Sequence, residues 1–205
     1  MPDQNRRLLD AARRGDAADV RAALDVGARV EARDEELRSP LLLAALGNHV
    51  AAAAVLVRAG ADPDAQDRRQ ESAWLVTGVT GSVPMMRVLL PAQPDLTLRN
   101  RFGGVSLIPA SERGHVAYVR AVLSETGMDV NHVNDLGWTA LLEAVILGDG
   151  GRPHQEVVEL LLAAGARTDL ADPNGVTPLR HAERRGFDVI AGLLRAAASP
   201  AWTRT

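Results

Sequence analysis

The sequence predicts an all-α solenoid of about six helix–turn–helix repeats joined by short β-turn or hairpin connections, and three observations predict it. Glycines recur at a fixed step: Gly27 and Gly60, in Gly-Ala-Arg and Gly-Ala-Asp contexts, lie 33 residues apart, where a left-handed helix C-cap favours Gly. A second register marks the turn inside each helix pair, at Gly15, Asn48, Gly81, Gly114, Gly148 and Gly186, with steps of 33, 33, 33, 34 and 38. Asn48 fits because Asn tolerates a left-handed backbone. Finally, only 3% of the residues are aromatic while Ala, Leu and Val dominate, so the core is built of small aliphatic side chains that let similar helices pack closely. The first register degenerates along the chain: Gln93-Pro94-Asp95 stands at the next 33-residue step, Gly127 arrives one residue late, and Gly165 later still.

The first repeat, about residues 6–35, has Leu8-Leu9-Asp10-Ala11-Ala12 in its inner helix and Ala22-Ala23 in its outer helix, small residues suited to a terminal unit with less to cover. The second, about 36–67, opens on Ser39-Pro40-Leu41: Ser caps the first free amides, and Pro stands where no amide bond is required. Ala51 to Ala54 favour its outer helix. In the third, about 68–100, Ser72-Ala73-Trp74 opens the inner helix, Trp74 is expected in the core, and Pro84 falls in the first turn of the outer helix. The fourth, about 101–134, has Val105 where a cap belongs, and Pro109 conflicts with a helix begun in register. A start one residue later, with Ser106 as cap and Pro109 inside the first turn, removes both conflicts.

The fifth repeat, about 135–172, opens on Asn134-Asp135-Leu136-Gly137-Trp138-Thr139-Ala140-Leu141 and carries an extension of five residues, 149–153, between its helices. The sixth, about 173–198, turns at Asn174-Gly175 and opens its helix at Thr177-Pro178, with Val189, Ile190, Leu193 and Leu194 expected to face inward and Arg184, Arg185 and Arg195 to cover the end. Residues 199–205 form a tail carrying Trp202, and 1–205 is expected to be a single domain. The stretch Asp172 to Gly186, D-P-N-G-V-T-P-L-R-H-A-E-R-R-G, resembles one unit of the ankyrin repeat, a module of about 33 residues with the signature D-x-x-G-x-T-P-L-H-x-A-A-x-x-G. The resemblance covers nearly residues 6 to 198, and the extended penultimate repeat is similar to that of small bacterial ankyrin proteins. One departure recurs: the His of T-P-L-H is Leu42, Leu75, Ile108, Leu142 and Arg180, which keeps packing but removes polar cross-links.

Formal net charge is −3 with both signs interspersed, so neither a nucleic acid nor an anionic membrane is an expected partner. The absence of Cys excludes disulfides, thiolate metal sites and thiol nucleophiles. No secretory h-region follows Met1, and no apolar run reaches the roughly 20 residues of a membrane span, so a cytoplasmic protein is expected.

No catalytic constellation is present: G-x-S-x-G, the phosphate loop, G-x-G-x-x-G after a strand and H-E-x-x-H are all missing. The chain therefore reads as a non-enzyme with no cofactor. His49, His115, His132, His154 and His181 fall in different repeats, and His49 and His115 follow the inter-helix turn, where a structural role is expected. One alternative remains, a ligand, metal or enzyme-like role around the 149–154 extension, where Asp149, His154 and Glu156 supply two carboxylates and an imidazole.

The ankyrin resemblance implies a protein-binding module whose turn tips and inner-helix ends form a concave recognition face. Carried onto this sequence, the tips supply Glu35, Glu36, Arg38, Arg68, Arg69, Glu71, Arg101, Phe102, Asp135, Leu136 and Trp138, and the helix ends supply Glu112, Arg113 and Ile146. Phe102, Leu136 and Trp138 with Arg68, Arg69 and Arg101 make the aromatic-plus-Arg mixture enriched at interface hot spots. The expected protein is a monomer that binds an unidentified partner protein bearing acidic groups opposite the third and fourth repeats.

Overall fold

The computed structural model describes residues 2–198, so the tail with Trp202 lies outside the described residues. Every regular element described is helical, and the chain divides into two compact units, Met1–Arg101 and Phe102–Thr205. The first holds α1 (Pro2–Arg14), α2 (Ala17–Asp25), α3 (Pro40–Leu46), α4 (Val50–Arg58), α5 (Ala73–Thr80) and α6 (Val83–Leu89), the last continued by a 3₁₀ turn at Leu90–Ala92. The second holds α7 (Leu107–Glu112), α8 (Val116–Glu125), α9 (Ala140–Ile146), α10 (Arg152–Ala163), α11 (Pro178–Arg184) and α12 (Asp188–Ala198).

Within each unit the helices form three antiparallel pairs stacked in two rows. In the first, α1, α3 and α5 pack as the inner row and α2, α4 and α6 as the outer; in the second the rows are α7, α9, α11 and α8, α10, α12. The fold class is the all-α ankyrin-repeat solenoid foreseen from the sequence. Leu8, Leu41, Leu42, Leu56, Met85 and Leu89 fill the first core together with Trp74, which is completely buried as its place in the repeat predicts. Leu107, Tyr118, Leu141, Leu142, Leu161 and Leu194 fill the second.

The caps form as the sequence indicates. Ser39 Oγ accepts from Leu42 N at 3.1 Å, Ser72 Oγ from Leu75 N at 3.2 Å, and Thr139 Oγ1 from Leu142 N at 3.2 Å. Helix α7 departs. It begins at Leu107 with Pro109 in the first turn, as expected, but Ser106 has a helical backbone (φ −57°, ψ −26°) and makes no side-chain cap; its buried hydroxyl has no hydrogen-bond partner. Pro109 has no N–H to give the Val105 carbonyl, which Ile108 N takes at 3.1 Å instead. The first turn is thereby tightened and Ser106 drawn into it.

Three further expectations are corrected. Gly127 is not left-handed: α8 ends at Thr126 in an extended conformation, its hydroxyl donating to Val122 O and accepting from Met128 N. In the fifth repeat the left-handed residue is Gly150 (φ 73°), not Gly148, because the extension moves the turn. Val189 is exposed, whereas Ile190 and Leu194 are buried. By contrast Gln93 (φ 55°) and Asn48 (φ 51°) take the left-handed backbone at the positions where Gly is replaced.

Candidate functional site

Four turn tips are folded by their leading Asp or Asn. In the first unit Asp34 Oδ1 accepts from Glu36 N at 3.0 Å and Arg38 N at 2.9 Å, and Asp67 Oδ1 accepts from Arg69 N at 2.8 Å and Glu71 N at 3.0 Å. In the second, Asn134 Oδ1 accepts from Leu136 N and Trp138 N, each at 3.0 Å, and Asp172 Oδ1 from Asn174 N and Val176 N, each at 2.9 Å. Burial pushes the Asp34 carboxyl up, but hydrogen bonds from Arg38 and the Arg38 charge outweigh it and hold the group below its ordinary value.

The fourth position of every tip is left-handed: Leu37 (φ 61°), Gln70 (φ 57°), Gly103 (φ 72°), Gly137 (φ 76°) and Gly175 (φ 74°). Gly103 is also a steric necessity, since a Cβ there would lie 2.8 Å from the Asp135 backbone N as well as 2.2 Å from its Oδ1. Neighbouring tips are then laced together by backbone bonds. Arg68 N donates to Glu36 O at 3.0 Å in the first unit, and Asp135 N donates to Phe102 O at 2.9 Å in the second.

This lacing places the predicted side chains. Arg68, Arg69 and Arg101 are exposed in the first unit, with Arg68 Nε donating to Glu35 O at 2.9 Å, while Glu71 is half-buried. In the second unit Phe102 and Leu136 are each 51% exposed on adjacent tips beside exposed Asp135, and Trp138 is half-buried. Glu112 and Arg113, paired at 3.1 Å, end α7, and the half-buried Ile146 ends α9 beside exposed Leu147.

Behind the tips, histidines of the outer row tie successive repeats. His49 Nε2 bonds the Arg13 carbonyl at 3.1 Å, and His154 Nε2 bonds the Glu112 carbonyl at 2.9 Å. Each ring is flanked by glycines whose Cβ would overlap or crowd it, Gly15 and Gly47 around His49 and Gly114 and Gly148 around His154. The extension serves this contact. Its residues lengthen α10 back to Arg152, Asp149 Oδ1 bonds His154 Nδ1 at 2.8 Å, and Glu156 pairs with Arg152 at 2.8 Å. Asp149 and His154 thus meet, whereas Glu156 is engaged elsewhere; among the described residues no group of three or more His, Cys, Asp or Glu is arranged to hold a metal.

A family model for ankyrin repeats in three copies matches residues 73–172, and a single ankyrin-repeat model matches residues 36–68. The ankyrin repeat protein YahD of Escherichia coli (strain K12) is 42% identical over 189 residues, spanning 92% of this chain and 94% of that protein. The chain belongs to the ankyrin-repeat family. An ankyrin repeat domain from Acinetobacter baumannii AYE superposes with a TM-score of 0.89 at 46% identity, covering 93% of this chain and 96% of that one. A second crystallised ankyrin repeat protein gives 0.88 at 35% identity, covering 92% and 96%. Ankyrin-repeat proteins are typically non-catalytic scaffolds for protein–protein interaction. No described helix is long and apolar enough to cross a membrane.

Sequence reasoning passed over three residues, two at the ankyrin tips and one on the helix behind them. Leu37 stands in D-E-E-L-R where the last repeat has D-P-N-G-V, a visible signal that the fourth tip position lacks its Gly. Glu143 is the sole charge in Ala-Leu-Leu-Glu-Ala-Val-Ile and is 5% exposed. Asn134, which folds the Leu136–Trp138 tip with its amide oxygen, donates its amide nitrogen to Glu143 Oε1 at 2.9 Å.

Proposed function

We propose that this ankyrin-repeat protein binds a partner protein, without catalysis, through its turn tips and the exposed ends of its inner helices. The observation that carries this reading is the pair Phe102 and Leu136, each 51% exposed on adjacent tips of the second unit, with Trp138 alongside. Large apolar side chains at laced, rigid tips are held where no core can use them, and such pre-organised anchors lose little entropy on binding. Asp135, Glu112, Arg113 and Ile146 belong to the same reading as rim residues. In the first unit Arg68, Arg69, Glu71 and Arg101 form the corresponding set, with the Arg charges matched to acidic groups on the partner. A cytoplasmic monomer fits this role. The role around Asp149 and His154 draws no support from the geometry, because both ring nitrogens of His154 are engaged within the fold.

Affinity capture from lysate of the source organism tests the proposal, comparing the wild-type chain with a Phe102→Ala/Trp138→Ala variant of unchanged helical CD signal. A protein retained by the wild type and lost by the variant is the expected result. Equal capture by both, or capture of nothing, overturns the assignment.

A further inference from the structure

The first unit contains a cleft of about 670 Å³ between α1 and the 34–38 tip, large enough for several ligand residues. Leu9 contributes an apolar surface, and charged groups form most of the lining. Those charges are not equally committed. Arg13 bonds Asp10 at 2.9 Å and Asp34 at 3.3 Å, and Arg38 bonds Asp34 at 2.8 Å. Arg33 donates to Leu37 O at 2.8 Å and lies 3.6 Å from Glu31. Among the described residues none pairs with the side chains of Arg6, Glu35 or Glu36, all of them exposed. The lining balances four Arg against four Asp or Glu, and once Glu31, just outside it, is set against Arg33, Glu35 and Glu36 face Arg6 alone, an excess of one negative charge.

The tip that carries those carboxylates has a second peculiarity. Leu37 holds a left-handed backbone at φ 61° and leaves its side chain 45% exposed, at a position that Gly fills in three other tips. A β-carbon in that conformation is unfavourable, and the side chain recovers little by burial within the unit. An apolar group is therefore presented beside two carboxylates on a tip whose carbonyls are already fixed by Arg68.

We infer that this cleft takes a segment of the partner protein bearing a basic side chain, its cation held by Glu35 and Glu36 and an adjoining apolar side chain resting on Leu37. The inference rests on the protein-binding reading above and gives it a chemistry in the first unit. Arg6, across the cleft on α1, meets a main-chain carbonyl of the same segment.

The test is a titration of the ¹⁵N-labelled full chain with two acetylated, amidated peptides, Gly-Ser-Lys-Leu-Lys-Ser-Gly and Gly-Ser-Glu-Leu-Glu-Ser-Gly, followed by amide shifts. The cationic peptide moves the amides of Arg6, Asp10, Glu35, Glu36 and Leu37 saturably, and the anionic one leaves them in place. In a Glu35→Gln/Glu36→Gln variant the affinity for the cationic peptide falls about tenfold, and in Leu37→Gly about fivefold. Equal shifts with both peptides, or equal affinity in the wild type and the Gln variant, overturn the inference. Its failure is separable from that of the wider reading. A captured partner lost by Phe102→Ala/Trp138→Ala yet kept by the Gln variant refutes the cleft alone, and capture unaffected by either refutes both.

Discussion

The Asn134 side-chain amide donates to the Glu143 carboxyl across 2.9 Å, joining a turn tip to the buried face of α9. Burial, reinforced by the charge of Glu112, pushes the Glu143 carboxyl up to about 7; the Asn134 bond and Arg113 oppose the shift without cancelling it. With the folded value above the unfolded one of 4.5, the native state retains a proton that the unfolded chain has released between those values. Stability contributed by this proton is complete below pH 4.5 and declines as pH rises to about 7. The decline is roughly 2–4 kcal/mol. Glu143→Gln keeps an acceptor for Asn134 and removes the titration, so urea unfolding at pH 5 and pH 8 gains a smaller difference in the variant. Identical pH differences in the two proteins contradict the buried-acid account.

At the fourth tip position the same substitution has opposite signs in different repeats. Leu37→Gly relieves a left-handed strain of about 1–2 kcal/mol and adds unfolded-state entropy costing about 0.4–1 kcal/mol, so stability rises by up to about 1.6 kcal/mol. Gly103→Ala drives a Cβ to 2.8 Å from the Asp135 backbone N, so turning the Asp135 side chain away is not enough and the next tip must shift, which destabilises. Thermal midpoints of the two variants move apart; a fall for Leu37→Gly denies that its backbone is strained.

The serines at the inner-helix starts separate in the same way. Ser39→Ala and Ser72→Ala each remove a formed cap and cost about 1 kcal/mol. Ser106→Ala removes a buried hydroxyl that has no partner, so stability stays level or rises by about 1 kcal/mol. Denaturant midpoints rank the three, and a loss at Ser106 equal to that at Ser39 shows a cap forming in solution.

His154→Ala leaves the Glu112 carbonyl without its ring partner and opens a hole between Gly114 and Gly148, costing about 2 kcal/mol or more. Hydrogen exchange is expected to quicken in α10 and at the end of α7. A variant as stable as the wild type shows that the extension has a task other than supporting this contact.

What the sequence by itself determined is what short-range chemistry governs. Ser39, Ser72 and Thr139 cap because an oxygen three residues before an amide reaches it whatever else the chain does. Asn48, Gly81 and Gly114 turn left-handed because only such residues do so cheaply, and burial of Trp74 follows from its place in the repeat. The half-exposed Phe102 and Leu136 were legible for the same reason, as apolar residues at turn tips. Tertiary structure alone decided the rest. Leu37 and Gln70 are forced left-handed by the tip's hydrogen bonds against their own preference, and Gly103 is needed because the next tip comes so near. His154 meets Glu112 across 42 residues, Asn134 reaches a carboxyl on the following helix, and the cleft under 34–38 exists only once α1 lies beside that tip. Those contacts depend on distances between repeats, which a repeating sequence implies in outline while the packing of particular side chains sets each one.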